Sequence, residues 1–239
     1  MKYISRWDKK EEELYRELSN LSRKLRVPRI PEVFLILEVK DARGEVLALS
    51  EGRAHSFTRN YYNLMLAMAT TCALNSLPAN SFGIGFLSMK ATSGTVYEND
   101  TIPTNASWEA GANDDTRSIV VGSDGTPEDP NGNDYVLGSQ IASGNGVGEL
   151  LYSACEQPTE TNGYLTYVGT TWTAEWRRYF NNNSGGNVIV RETGLYLRLN
   201  FDGVNDYYLL IRDAFAAITV PDTAQLRVSY TLSYDMPID

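Results

Sequence analysis

The sequence predicts a mainly β protein: a β-sandwich or jelly-roll-like body with an N-terminal helix and one buried helix. Three observations point there. Leu226, Val228, Tyr230, Leu232 and Tyr234 alternate with Arg227, Ser229, Thr231 and Ser233, the period-two pattern of a strand with one face on a core. A second ladder places Val188, Val190, Leu195, Leu197 and Leu199 in the same way, and its apolar set changes face near 192–194, which predicts a bulge there. From about 74 to 187, Gly, Asn, Ser, Thr, Asp and Pro dominate between short apolar pieces, the texture of short strands joined by long loops.

In chain order, residues 7–26 read as a helix. Trp7, Leu14 and Leu21 fall seven apart, and Leu18 and Leu25 complete a heptad stripe that Glu11 interrupts. Glu12, Glu13 and Glu17 crowd its first half and Arg23, Lys24 and Arg26 its end, an order that suits the helix dipole. Pro28 and Pro31 stop it. The stripe either packs on its own domain or meets a neighbouring subunit. Residues 1–31 thus read as a helical arm, with Trp7, Leu14, Leu18, Leu21 and Leu25 as its interface, and 32–239 as the β-rich body. Residues 32–40 and 45–49, joined by a turn at Gly44, form a hairpin.

A second helix starts near Ser56 or Thr58 and puts Tyr61, Leu64, Met65, Met68, Ala69 and Cys72 on one face, well buried. The apolar pieces at 82–87, 117–121, 149–152 and 164–176 read as strands. Trp108, Trp172 and Trp176 argue against a disordered linker, because aromatics in that number normally bury area. Residues 201–206 form a loop before a strand at 207–211, and Pro221-Asp222 makes a turn.

Composition removes several kinds of chemistry. Among 239 residues there is one histidine, His55, so a His-based triad or a multi-His zinc site has almost nothing to work with. Cys72 and Cys155 are far apart and read as free thiols. The net charge of −9 argues against a general nucleic-acid binder. Residues 1–31 hold nine Lys/Arg against five Asp/Glu, whereas 91–163 hold one Arg and twelve acids. Basic arm and acidic middle attract each other between neighbouring copies, or the acids form a solvated face. No apolar run approaches the roughly 20 residues that span a bilayer, and residues 1–7 lack a secretory signal pattern, so synthesis in a cytoplasm is expected.

Phosphate-binding, nucleophile-elbow and zinc-protease motifs are missing, and Gly144-Asn-Gly-Val-Gly148 reads as a turn. Asp124, Glu128, Asp129, Asn131, Asn133 and Asp134 offer oxygen ligands of the kind calcium takes, but without EF-hand spacing, so a structural turn is the better reading. Glu175, Glu192 and Asp213 lie near Arg177, Arg178, Arg191 and Arg212, and ion pairs explain them more simply than a glycosidase carboxylate pair. No catalytic, cofactor or metal residue is assigned.

Several segments together resemble a known group. They are Ser56-Phe-Thr-Arg-Asn-Tyr-Tyr-Asn-Leu, Asp134-Tyr-Val-Leu137, Gly148-Glu-Leu-Leu-Tyr152 and Arg178-Tyr-Phe-Asn-Asn-Asn-Ser-Gly185. The remainder are Val188-Ile-Val-Arg-Glu-Thr-Gly-Leu-Tyr196, Leu210-Ile-Arg-Asp213, Ile218-Thr-Val-Pro and Leu226-Arg-Val-Ser-Tyr-Thr-Leu232. This resembles virion structural proteins of tailed bacteriophages, with their N-x-S-G turn, V-x-E-x-G-L-Y strand, R-D strand end and closing V-x-Y-T strand. The resemblance covers about 100 residues well and about 40 more loosely. It implies a non-enzymatic component of a virus particle, made in the host cytoplasm: a head decoration protein, a fibre-attachment domain or a tail component. The partners it implies are the major capsid protein or tail proteins, and further copies of the chain, with trimers fitting three-fold lattice positions. Glu192 and Arg212 recur in the pattern and are expected to form a structural ion pair. The alternative is a carbohydrate- or receptor-binding module in which Trp108, Trp172 or Trp176 stacks on a ligand.

Overall fold

The computed structural model describes residues 2–5, 8–25, 32–54, 57–70, 88–97, 104–124, 133–201 and 203–235. Trp7, His55 and Cys72, and the expected strand at 82–87, lie outside them. The elements begin with β1 (Lys2–Ser5), α1 (Lys9–Leu25), β2 (Glu32–Lys40), β3 (Val46–Arg53) and α2 (Arg59–Thr70). Short strands follow: β4 (Met89–Lys90), β5 (Val96–Tyr97), β6 (Thr104–Ser107), β7 (Ser118–Gly122), β8 (Leu151–Tyr152) and β9 (Leu165–Val168). Four long strands close the chain: β10 (Thr171–Asn181), β11 (Val188–Phe201), β12 (Val204–Val220) and β13 (Gln225–Asp235). The protein is mainly β, with two helices, as the alternation and loop texture predict.

The long strands build the frame. β11 and β12 form an antiparallel hairpin in one sheet. Its legs continue backward into β10 and forward into β13, which pair again, antiparallel, in the other sheet. The four strands are therefore one long hairpin folded over on itself, the elementary move of a jelly-roll-like sandwich. The larger sheet runs β1-β3-β2-β13-β10-β8 with β9 on β10, and the smaller runs β12-β11-β6 with β7 also on β11. Val33, Leu35, Leu37 and Val39 of β2, Trp176 and Phe180 of β10, and Leu226, Val228 and Tyr230 of β13 join Leu195, Ile211 and Ile218 in one buried core. Tyr230 donates its hydroxyl across the gap toward Thr193 O (3.4 Å) and Asp213 Oδ2 (3.3 Å), linking the two sheets. The β11–β12 register shifts between Val190 and Glu192 and again between Leu195 and Tyr196, and the extra residues lie on β12, so the bulge expected near 192–194 is in this ladder but on the partner strand.

Both legs of the folded hairpin must turn at the same level, and Asn182 holds them there. It is fully buried. Its Nδ2 donates to Gly186 O (2.7 Å) and Val220 O (2.8 Å), and its Oδ1 accepts from Ser184 N (3.0 Å). Its backbone pairs with the opposite leg, Asn182 N to Ala224 O (2.9 Å) and Thr223 N to Asn182 O (2.8 Å). Gly185 takes φ +78° here, a conformation other L-residues adopt poorly, and gives its N–H to Asp222.

A second fastener ties the irregular segments to this frame. Arg178 of β10 is fully buried. Nε donates to Ser153 O, Nη1 to Arg117 O and Ile119 O, and Nη2 to Gly111 O and Asp114 O. A guanidinium has five N–H donors, and here each meets a backbone carbonyl. Burial pulls its pKa below the ordinary arginine value, against the opposing pull of Cys155, Tyr152 and nearby acids. The expectation that Arg178 pairs with an acid is thus corrected: loop carbonyls need partners more than the surface acids do.

Three other expectations change. Lys2–Ser5, within the segment read as a helical arm, pairs parallel with β3 at the sheet edge, so a strand precedes the helix and extends the sheet. β11 runs to Phe201 and β12 already starts at Val204, so most of the loop expected over 201–206 is strand. In α2, Leu64, Asn60 and Asn63 are buried while Met65 and Tyr62 face outward, because α2 docks by side-chain amides as well as apolar contact. Asn60 pairs with both backbone groups of Lys90, and Asn63 donates to Ser88 O (2.7 Å). Thr58 precedes α2, but its hydroxyl donates to Leu209 O (2.7 Å) and its N–H to Leu210 O (2.9 Å), covering the outer edge of β12.

Asn182→Ala removes the amide that serves both corners, taking a donor from Val220 O and leaving Gly186 O with the Ser184 hydroxyl. We expect a loss of about 2–4 kcal/mol, seen as a melting temperature lowered by about 5–15 °C in a thermal scan.

Candidate functional site

The most unusual surface is on α1. Asp8 caps the helix, accepting from Lys10 N (2.8 Å) and Glu11 N (3.4 Å). The helix is held to the body through Arg53, at the end of β3. Arg53 Nε and Nη2 donate to the two carboxylate oxygens of Glu12 (2.7 and 3.2 Å), and Nη1 donates to Glu32 Oε2. The guanidinium also lies between two rings, 4.0 Å from the Tyr15 centroid and 5.1 Å from that of Phe34. Burial alone would lower the Arg53 pKa, and the bonds from Glu12 and Glu32 outweigh it, holding the group above its ordinary value. The contact is bidentate and stacked, with the arginine buried and Glu12 partly exposed.

This anchoring orients α1 against the usual rule. The half-buried residues are Glu11, Glu12, Tyr15, Ser19 and Ser22. The leucines point elsewhere: Leu14 is 56% exposed, Leu18 49%, Leu21 52% and Leu25 60%. At 3.6 residues per turn the stripe lies roughly 100° around the helix from the anchoring face. Amphipathic helices normally turn the apolar stripe to their own core. Four of the five predicted interface residues thus share one outward face, and Trp7 lies outside the described residues.

Glu192 and Arg212 are in direct contact. Arg212 Nε and Nη2 donate to Glu192 Oε2 (3.0 and 2.8 Å), and Nη1 donates to Asp134 Oδ2 (2.7 Å). Glu192 also accepts from Gly138 N (3.1 Å) and Ser139 N (2.8 Å). Burial alone would lower the Arg212 pKa, and the Asp134 and Glu192 bonds raise it above its ordinary value. Close approach requires Gly122, where a Cβ would lie 2.5 Å from Glu192 Oε1 and 2.7 Å from Ser139 O. With its lone pairs taken by two N–H groups and a guanidinium, this carboxylate holds the 134–141 segment against the smaller sheet. Tyr196 supports it, its hydroxyl accepting from Leu137 N (2.8 Å).

The remaining candidates separate. Glu175 pairs with Arg177 on the larger sheet (2.8 Å), while Glu192 and Asp213 lie in the smaller one. There Thr193 faces Asp213 and Glu192 faces Ala214, so strand alternation puts the two acids on opposite sides. Of the acidic run, 125–132 lie outside the described residues, and Asp134 is bound to Arg212. Among the described residues no three His, Cys, Asp or Glu side chains gather as a metal site would need, and no helix is long and apolar enough to cross a membrane. Trp108 and Trp176 pack on each other, centroids 5.3 Å apart, and Trp176 is buried. Trp172 is 44% exposed and stands directly between Tyr167 of β9 and Tyr234 of β13.

The role of Arg53 was missed in the sequence, and only its place beside two acids of distant segments reveals it. Asp8 was legible in principle, as an Asp before a charged helical run. No family model matches the chain, and neither a curated protein nor a solved structure shows significant similarity to it.

Glu192→Gln keeps the shape but weakens a buried charge pair and leaves Arg212 short of compensation. We expect a loss of about 2–4 kcal/mol in denaturant unfolding. An unchanged midpoint would remove the fastening role.

Proposed function

We propose that this chain is a non-enzymatic structural component of a virus particle, a decoration or accessory protein that docks on the capsid or tail surface. The observation that carries the reading is the outward leucine stripe of α1 on a helix clamped to the body through Arg53. A monomer gains nothing by holding four leucines in water with a buried, bidentate arginine, whereas a contact surface requires it. The sequence resemblance supports the same reading, and its shared segments occupy structural positions. Asn182–Gly185 is the corner of the folded hairpin, Glu192 and Arg212 fasten a loop, and 188–196 is the strand that faces the bulges of β12.

A carbohydrate-binding role is the second reading, favoured by Trp172 and Tyr167 side by side at the exposed end of β9 and β10. Stacking on sugar rings would use those two faces. If so, Trp172→Ala abolishes signal on a glycan array. A wild-type array with no signal counts against this reading.

Deleting the N-terminal segment is a poor test of docking, since it also removes β1 from the sheet and Glu12 from Arg53. Replacing Leu18 and Leu21 together by Lys leaves both intact. We expect the variant to melt as the wild type does and to lose at least roughly tenfold in co-sedimentation with empty capsids or isolated tails of its own particle. Undiminished binding by the variant would sink the docking role of α1.

A further inference from the structure

We infer that α1 pairs antiparallel with α1 of a second copy of this chain, about a two-fold axis passing between Ser19 and Asn20. The inference rests on reading the leucine stripe as a contact surface: its occupant is a second copy, the paired chains meet the particle together, and a leucine variant loses particle binding by losing the pair.

The spacing is self-complementary. When two such helices run antiparallel about that axis, Leu14 meets the partner's Leu25 and Leu18 meets the partner's Leu21, and the symmetry repeats both contacts. All four exposed leucines then have leucine partners, in four successive layers of the kind that close a helix seam. An isologous two-fold contact needs such a patch, one that matches itself.

Charge selects the direction. One flank of the stripe carries Lys10, Glu17 and Lys24, seven apart and all exposed. The antiparallel arrangement sets Glu17 beside the partner's Lys24, and the two-fold axis makes that pair twice. The other flank, with Tyr15 and Ser22, is half-buried toward the body and offers no charge to match. A parallel pair, or a parallel three-helix bundle, would put Glu17 beside Ser22 of its neighbour and lay the acidic halves and the dipoles side by side. Antiparallel pairing instead opposes the two dipoles and sets each Glu17 against a partner's Lys24. The anchor through Arg53, at the end of β3, lies roughly 100° away, so the stripe is accessible while the helix is held.

Sedimentation equilibrium of the full chain tests this, from low micromolar to near millimolar concentration. We expect a reversible monomer–dimer equilibrium that the paired Leu18→Lys and Leu21→Lys replacement removes. Glu17→Lys alone, or Lys24→Glu alone, sets like charges together twice per dimer and weakens association by roughly tenfold. The double variant carrying both reversals restores it to within about twofold of the wild type. Circular dichroism checks that α1 is retained in each. A wild-type chain that stays monomeric or forms trimers, or a double variant no tighter than either single one, overturns the pairing. Should the wild type be monomeric while the leucine variant still loses particle binding, the pairing fails and the contact-surface reading stands. A wild-type dimer whose leucine variant binds particles normally gives the converse.

Discussion

The sandwich depends on one constraint: a single long hairpin must fold over so that its two legs leave one sheet and join the other together. If either leg turned a residue early, β10 and β13 would meet out of register, and a one-residue slip sends every inward side chain to the solvent face. Asn182 removes that freedom, because its backbone pairs with one leg's neighbour while its amide reaches both corners. The consequence extends well beyond the corner. Trp176 faces Tyr230 and Phe180 faces Leu226 only in that register, and β2 in turn takes its place from β13. The core is thus built outward from the corner: the fold of the hairpin aligns β13, β13 aligns β2, and β2 aligns β3.

Long loops pose a second problem that strands do not solve. Segments such as 111–117 and 134–141 bring carbonyls and N–H groups against the core without a ladder to pair them, and unpaired buried groups are costly. Here the answer is a buried charged side chain whose donors or acceptors match the loop. Arg178 meets five carbonyls, and the Glu192–Arg212 pair meets two N–H groups and Asp134. The two are complementary in kind: a cation gathers carbonyls, and an anion gathers N–H groups. Burying charge is expensive, and it is sustained only where, as here, nearly every donor and lone pair is used.

What the sequence reveals follows from how local the physics is. The alternation of Leu226 to Tyr234 is set by the two-residue strand repeat, so strand and inward face are both legible without knowing the partner strands. The irregularity near Glu192 is signalled in the same way, by a break in that repeat, although the extra residues lie on the partner strand. Glu192 with Arg212 is legible only through the resemblance, since the residues are twenty apart and neither has a distinguishing neighbour. Arg178 is misleading because its partners are carbonyls, which every residue carries and no sequence marks. The attachment of β1 and the rotation of α1 are non-local too: they depend on Arg53 meeting Glu12, Glu32 and two aromatic rings from separate segments. The heptad spacing shows a seam but not which way it faces.

The orientation of that helix has an energetic consequence for binding. A helical arm that ordered only on contact would lose conformational freedom at the moment of binding, and affinity would fall accordingly. Here the ordering takes place during folding. Asp8 caps the first turn, Arg53 clamps Glu12 and stacks on Tyr15, and β1 ties the preceding residues to the sheet edge. On the proposed reading, a partner meets leucines already in line on one helix, as an assembly protein needs where the same contact repeats in every copy. The polar anchor and the apolar stripe share one helix because the first fixes where the second points.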